Sequence, residues 1–487
     1  MIYSLQKISP KDYEGNMVFL YGDEVAERRL PLSKKEAEVL KGRRLEEKEF
    51  VMSFDRLPAK LYVVSFDSEK EPAETHEWLR CSAARLLKRM EEDNVVDVAV
   101  CGEGTLAEEV VALLEGLTLA DYSFDRYRSK DMFHLERVAV DEVFISQEEL
   151  DSQLRLWNRI FWCREWVNLP VQDLNAEQFA DELKSVAEGL GNVKCTVMDR
   201  RKIESLRMGG LLGVNRGSVD EPRFVVLEYD GSQKAKGAKN QKTVDPICLV
   251  GKGVMYDTGG LNIKPGDYMQ EMKSDMAGAA TMASVVFAAA DNGLPVHVVA
   301  LLPMTDNRPG GNAYAADDIL TMYDGTTVEV VNTDAEGRLI LADAIAYAVR
   351  NYNPKVVIDA ATLTGAAVRA ISTFGIAAMQ THAERELELL KIVGREVYER
   401  LVEFPMWKEY DEMIKSDFAD LRNSTMSPQA GTITAGKFLA HFAKEVPFVH
   451  LDIAGVAYFT KAQQYYRPGA SGYGIRLLYA YLQMQEN

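Results

Sequence analysis

Two short segments hold most of the residues in this chain that could do chemistry. The first runs Gly251-Lys252-Gly-Val-Met-Tyr-Asp257-Thr-Gly-Gly260, continues through Lys264 and ends at Asp275, so two lysines and two carboxylates crowd one glycine-rich stretch. The second is Asn332-Thr-Asp334-Ala-Glu336-Gly-Arg338-Leu339. Asp334 and Glu336 are two apart, and in extended backbone both carboxylates would leave the same face. Four carboxylates converging from two strand ends would raise one another's pKa by like-charge repulsion, a conflict that bound divalent cations remove. Two metals roughly 3.5–4 Å apart can bind a hydroxide and polarise a carbonyl, which is what peptide-bond hydrolysis needs. Oxygen-rich ligation suits Mg, Mn or Zn. The competing reading is a pair of helix N-caps with ordinary salt bridges to Lys252, Lys264 and Arg338.

Other chemistries fit less well. Gly251-Lys252-Gly253 lacks the GxxxxGK[ST] spacing of a phosphate-cradling loop. None of the six histidines lies in either cluster or forms HExxH, which excludes zincin-type hydrolysis. The five cysteines are scattered without a CxxC pair and suit a reducing cytosol.

The elements that must position these residues follow a strand and helix alternation. Up to about residue 155, Leu61–Ser65, Glu74–Glu92 and Val95–Cys101 read as strand, helix and strand. A helix is expected over Ser146–Glu165, bridging two domains with the boundary within it, giving domains 1–155 and 156–487. Beyond it, strands are predicted at Phe224–Leu227, Ile247–Val250, Val296–Leu302, Val328–Val331, Val356–Ile358 and Phe448–Ile453, with the first cluster ahead of an alanine-rich helix, Met276–Ala290. The second cluster runs into a helix beginning near Gly337. Loops at strand C-termini are where α/β sheets build their sites. Asp230–Thr243, rich in glycine and lysine without apolar periodicity, is expected to be an exposed loop.

The 487 residues allow two or three folded units, and 47% apolar with 27% charged residues excludes a disordered or fibrous chain. The formal charge of −18 makes nucleic acid a disfavoured partner. No run reaches the ~20 apolar residues of a membrane span, and Met1–Pro10 has no apolar signal core, so a cytoplasmic location without membrane partners is expected.

The string Asn332–Leu339 resembles the signature of the leucyl aminopeptidase family, the dinuclear-metal cytosol aminopeptidases. The resemblance extends to Gly251-Lys-Gly, Asp257-Thr-Gly-Gly, Met272–Met276, Ala361-Thr-Leu-Thr-Gly365, Asp420-Leu-Arg-Asn423 and His450–Gly455, and so spans about Asn168 to the C-terminus. Tyr256, Ala277 and Ser471 depart from the usual phenylalanine, glycine and threonine. The resemblance implies an α/β protein: a smaller N-terminal α/β domain and a C-terminal catalytic domain with a mixed, largely parallel central sheet flanked by helices. It implies that Lys252, Asp257, Asp275 and Glu336 hold a tightly bound metal, while Asp257, Asp334 and Glu336 hold an exchangeable one. Lys264 would contact the scissile carbonyl, and Arg338 would hold a bicarbonate acting as general base. Met272, Thr362, Gly365, Ala454 and Ala457 would line the side-chain pocket. The activity implied is release of an N-terminal residue, leucine or another apolar one, from unblocked peptides through a water bound by two divalent ions (Mn, Zn, Mg or Co), in a homohexamer. The rival readings are a two-metal phosphoesterase and a non-catalytic DNA-binding accessory hexamer.

Overall fold

A computed structural model describes residues 1–23, 30–56, 58–130, 132–232, 245–425 and 427–486. Most of the lysine-rich loop expected at 230–243 lies outside the described residues. The chain forms two compact units, Met1–Trp157 with Phe459–Pro468, and Asn158–Tyr458 with Gly469–Asn487. The structural division is therefore not a single cut. It falls at Trp157 inside the helix Gln147–Asn168, and a short return segment near the C-terminus belongs with the first unit.

The first unit is built on a six-stranded sheet of β1 (Ile2–Gln6), β2 (Met17–Tyr21), β3 (Phe50–Asp55), β4 (Lys60–Ser65), β5 (Asp97–Glu103) and β6 (Arg137–Asp141), in the order β1-β6-β5-β2-β4-β3. All neighbours are parallel except β3, which runs antiparallel to β4. Val18, Leu20, Val63, Val64, Val98 and Val100 are buried, as a sheet covered on both faces requires. The helix Pro72–Asp93 starts on a proline and stops at Asn94 in the left-handed conformation. The return segment is held by Tyr465, whose hydroxyl donates to Glu77 at 3.3 Å, and by Arg467 Nε, which donates to the Ala120 carbonyl at 3.0 Å.

The second unit carries a nine-stranded mixed sheet of β7 (Lys194–Met198), β8 (Arg223–Asp230), β9 (Ile247–Gly251), β10 (Gly253–Asp257), β11 (His297–Asn307), β14 (Val356–Ala361), β15 (Ile376–Thr381), β16 (Leu401–Glu403) and β18 (Phe448–Asp452). The order is β16-β15-β18-β14-β9-β11-β8-β7, with β10 added on β11. The centre is parallel, β18 to β14 to β9 to β11 and on to β10, while β15, β8 and β7 pair antiparallel towards the edges. A smaller sheet joins β12 (Ile319–Thr321), β13 (Thr327–Glu329) and β17 (Leu421–Arg422). The mixed, largely parallel sheet flanked by helices is the expected fold class.

Two helices cover the parallel centre on opposite faces. Cys248 and Val250 of β9 share a core with Ile340 and Ala344 of the helix Gly337–Tyr352. Gly251 lies on the other face, where a Cβ would come within 2.6 Å of the Ala279 Cα in the helix Ala277–Asp291. That second helix is buried from Ala277 to Ala290, so its alanines let it pack against the sheet without a polar side. Both helices begin at the C-terminal ends of the parallel strands, which sets their first turns around one crevice. The five cysteines carry no disulfide. Among the described residues no helix is long and apolar enough to cross a membrane.

Candidate metal centre

Each carboxylate of the two sequence clusters sits at an element end on that crevice. Lys252 follows β9, Asp257 ends β10, Asp275 lies in the 3-10 turn Met272–Met276 that leads into the helix Ala277–Asp291, and Glu336 is the N-cap of the helix Gly337–Tyr352. Strand β10 had no counterpart among the expected strands. Its pairing beside β11, Asp257 opposite Asn307, carries Asp257 to the site.

Asp334 and Glu336 do meet, though not by the expected route. Residues 332–335 form a turn, the Ala335 amide donating to the Asn332 carbonyl at 3.1 Å, and Glu336 after it has helical backbone angles, φ −80° and ψ −38°. The turn, fixed by the Asn332 side chain accepting from the Asp334 amide at 2.9 Å, folds the two carboxylates together where an extended strand would have aligned them on one face. One oxygen each from Asp257, Asp334 and Glu336 lies within 4.8 Å of the others.

Two ammonium groups thread this cluster. Lys252 Nζ is 2.7 Å from Asp275 Oδ1 and 2.9 Å from Glu336 Oε1, with Lys252, Asp275 and Glu336 all buried. Lys264 Nζ is 2.7 Å from Asp257 Oδ2 and 2.8 Å from Asp334 Oδ1. Salt bridges of the competing sequence reading are thus present, but they do not neutralise the site: four carboxylates face two lysines. Burial, followed by the neighbouring carboxylate charges, pushes the pKa of Asp257 above the usual range, and burial with Glu336 does the same to Asp334. Burial also raises Asp275, the charge of Lys252 opposing it. Burial works against the Lys252 charge too, yet Asp275, Glu336 and Asp257 outweigh it and hold the ammonium protonated.

The residues present fit divalent cations. Asp275 Oδ2 and Glu336 Oε2 are buried without a hydrogen-bond partner among the described residues, an arrangement costly for a carboxylate unless a cation meets it. The donor set is carboxylate oxygen with amine nitrogen, which suits Mg, Mn and Zn.

Thr362 joins the cluster directly, its hydroxyl donating to Asp275 Oδ1 at 2.7 Å and its carbonyl accepting from Lys252 Nζ at 3.0 Å. Met272 shares the turn that carries Asp275. Gly365 opens the helix Gly365–Ile371, which Thr364 caps, and Ala454 follows β18. Asp452 gathers these loops by accepting from the amides of Leu363, Thr364 and Ala454. The backbone carbonyl of Ala457 accepts from the Ser471 amide at 3.0 Å. The Tyr256 hydroxyl donates to the Met269 carbonyl at 3.3 Å, and its ring lies under Arg308 at 4.7 Å.

Arg338 is buried, and burial lowers its pKa to about 10. One terminal nitrogen donates to the Asn423 carbonyl at 2.8 Å, while Nε has no partner among the described residues. Asn423, the last residue of Asp420-Leu-Arg-Asn423, has a structural role there. Its side chain accepts from the Val331 amide at 2.7 Å and donates to the Asn332 carbonyl at 2.7 Å, fixing the start of the acidic turn. Reasoning from sequence also missed Asn307, Tyr314, Thr333 and Asn262, the last of which accepts from the Thr333 amide at 2.8 Å through its side-chain oxygen. The signal available for Asn307 was Thr305-Asp306-Asn307, three polar residues ending a long apolar strand.

The profile of the cytosol aminopeptidase family, catalytic domain, matches residues 161–479. A probable cytosol aminopeptidase of Chlorobaculum tepidum is 44% identical over 387 residues, covering 76% of this chain and 74% of its own. One of Cenarchaeum symbiosum is 36% identical over 415 residues, covering 84% and 83%. Among solved structures, the bottromycin maturation enzyme BotP in complex with Mn superposes with a TM-score of 0.83 at 28% identity over 97% of this chain and 99% of that one. A tomato leucine aminopeptidase mutant shares the fold, with a TM-score of 0.84 at 24% identity over 99% and 96%. By its catalytic-domain match and its relatives along most of its length, the chain belongs to the cytosol aminopeptidase family, metal-dependent exopeptidases that act on peptides.

Proposed function

We propose that the enzyme removes leucine or another apolar residue from the free N-terminus of peptides, using two divalent cations. The observation that carries this reading is the cluster of buried Asp257, Asp275 and Glu336 with half-buried Asp334, oxygens of three of the four lying within 4.8 Å and charge left over after both lysines are counted. Lys252, Asp257, Asp275 and Glu336 would hold one cation, and Asp257, Asp334 and Glu336 the other. When bound, such a pair supplies Lewis acidity to a scissile carbonyl and lowers the pKa of a water. A cation at Lys252 requires that lysine to surrender its proton, as metal ligands generally must.

The remaining work falls to the chain. The Lys264 ammonium would donate to the carbonyl oxygen of the scissile bond as it gains negative charge. Arg338 would present its unpartnered Nε to a bicarbonate that takes the proton of the attacking water. Met272, Thr362, Gly365, Ala454 and Ala457 would shape the pocket for the side chain. Catalysis belongs to residues 156–487 in this reading, with 1–155 as the smaller N-terminal domain. The Mn of BotP supports manganese among the usable metals, with Zn, Mg and Co the others to test. We also propose a cytoplasmic homohexamer.

The test compares leucyl-p-nitroanilide with its N-acetyl form, with each metal added in turn to chelator-treated enzyme. An amine lone pair can coordinate a cation, whereas an acetylated nitrogen has its lone pair delocalised into the amide. Only the free-amine substrate should turn over; comparable hydrolysis of both would overturn the proposal.

A further inference from the structure

Asp257 is held by two donors that have no part in the chemistry above. Asn307 Nδ2 donates to Asp257 Oδ1 at 2.8 Å, and the Gly259 amide donates to the same oxygen at 2.8 Å. The other oxygen, Oδ2, meets Lys264 Nζ, which in turn touches Asp334. One oxygen of Asp257 thus faces fixed donors, and the other faces the space shared with Asp334.

Asn307 is fully buried at the end of β11, and its backbone carbonyl accepts from both the amide and the hydroxyl of Thr258, at 3.0 and 2.8 Å. Its second side-chain N–H donates to the Thr333 carbonyl at 3.0 Å, one residue before Asp334. Both partners of Nδ2 are pure acceptors, so the amide can take only this orientation. The Thr333 carbonyl also accepts from the Tyr314 hydroxyl at 2.6 Å, and the Thr333 hydroxyl donates to the Gly259 carbonyl at 2.6 Å. The loops bearing Asp257 and Asp334 are therefore joined both through the Asn307 amide and through the Thr333 hydroxyl. Gly260 makes room for it, because a Cβ there would lie 2.8 Å from Asn307 Oδ1. Aspartate at 307 could not donate to either partner, and leucine could satisfy neither.

We propose that Asn307 is a positioning residue for the exchangeable cation: it fixes the rotation of the Asp257 carboxylate and its spacing from Asp334. This rests on the two-cation reading above. The partners that orient metal ligands typically alter metal affinity by about 10- to 100-fold when removed.

The test is calorimetric titration of Mn2+ alone into chelator-treated wild type, Asn307→Leu and Asn307→Ser, alongside thermal unfolding of each. Wild type should take up Mn2+ in two steps. Because Asp257 is assigned to both cations but Asp334 only to the weaker one, both variants should weaken both steps unequally, the weaker step by about 10- to 100-fold and the tighter step by much less. A wild type that binds no second Mn2+ would sink the two-cation reading itself. Two unchanged steps in the folded variants, equal weakening of both steps, or failure of both variants to fold would each overturn the role of Asn307 while leaving that reading intact.

Discussion

Lys252 reaches Glu336 across the bare Cα of Gly337: a Cβ on Gly337 would lie 2.7 Å from Lys252 Nζ and closer still to its Cε. The residue beside the acidic turn is therefore a glycine for the sake of a lysine far away in sequence. The close approach lets one ammonium touch both Asp275 and Glu336 at the start of two different helices.

Gly337→Ala should separate stability from activity. Alanine gains about 1 kcal/mol of helix propensity over glycine, against about 1–3 kcal/mol for crowding a packed site, so the fold should survive. Lys252 must move, and kcat should fall by at least about 100-fold, the scale of losing one preorganised group. Thermal unfolding and steady-state kinetics on the same preparation check this. A variant with wild-type kcat would show that Lys252 has room the geometry denies it.

Asp257→Asn and Glu336→Gln should be the most damaging single changes in the cluster, because each residue is assigned to both cations. Chelation should abolish turnover of the wild type, and metal analysis of the variants should show less than the wild-type content. Full activity of either variant after exhaustive chelation would refute the metal mechanism.

Lys264→Ala should behave differently. Its ammonium pairs with Asp257 and Asp334 but is assigned to the transition state, so metal content should persist while kcat drops by roughly 10²- to 10³-fold. Loss of metal in this variant would mark Lys264 as a structural counter-charge.

A pH effect is expected in the first unit, away from the metal centre. The Arg56 guanidinium, chiefly, holds the Glu36 carboxyl down at about 2, with Ser33 contributing through its amide and hydroxyl. A depressed carboxyl stabilises the fold above its unfolded pKa and loses that contribution as pH falls through the window from about 4.5 to about 2. The pair lies at the surface with both side chains partly buried, so its worth is about 1 kcal/mol. Glu36→Gln should speed amide exchange in the helix Lys34–Glu46 relative to wild type near neutral pH, and the difference should shrink towards pH 2. An undiminished difference at acid pH would assign the effect to the lost capping contact with Ser33.

The chemistry of the chain was legible where the chemical residues are close together in sequence. Gly251–Asp275 and Asn332–Leu339 are dense with charges and glycines, and that density marks a site whatever the fold. The strand and helix alternation marked the fold class for a similar reason, since periodicity is a local property. Tertiary structure alone decided how the groups meet. Asp334 and Glu336 converge through a turn because Asn332 and Asn423, the latter from a distant strand end, hold the backbone there. Asp257 is oriented by Asn307, and Asp452 ties the loop of Leu363 and Thr364 to the end of β18, through hydrogen bonds that join residues 50 and about 90 positions apart. Such bonds leave no periodic trace: an asparagine at a strand end has the same local propensity whether it faces water or a buried carboxylate. Only the packing of β10 beside β11 made that choice, by closing the crevice and leaving each buried polar atom to find a partner.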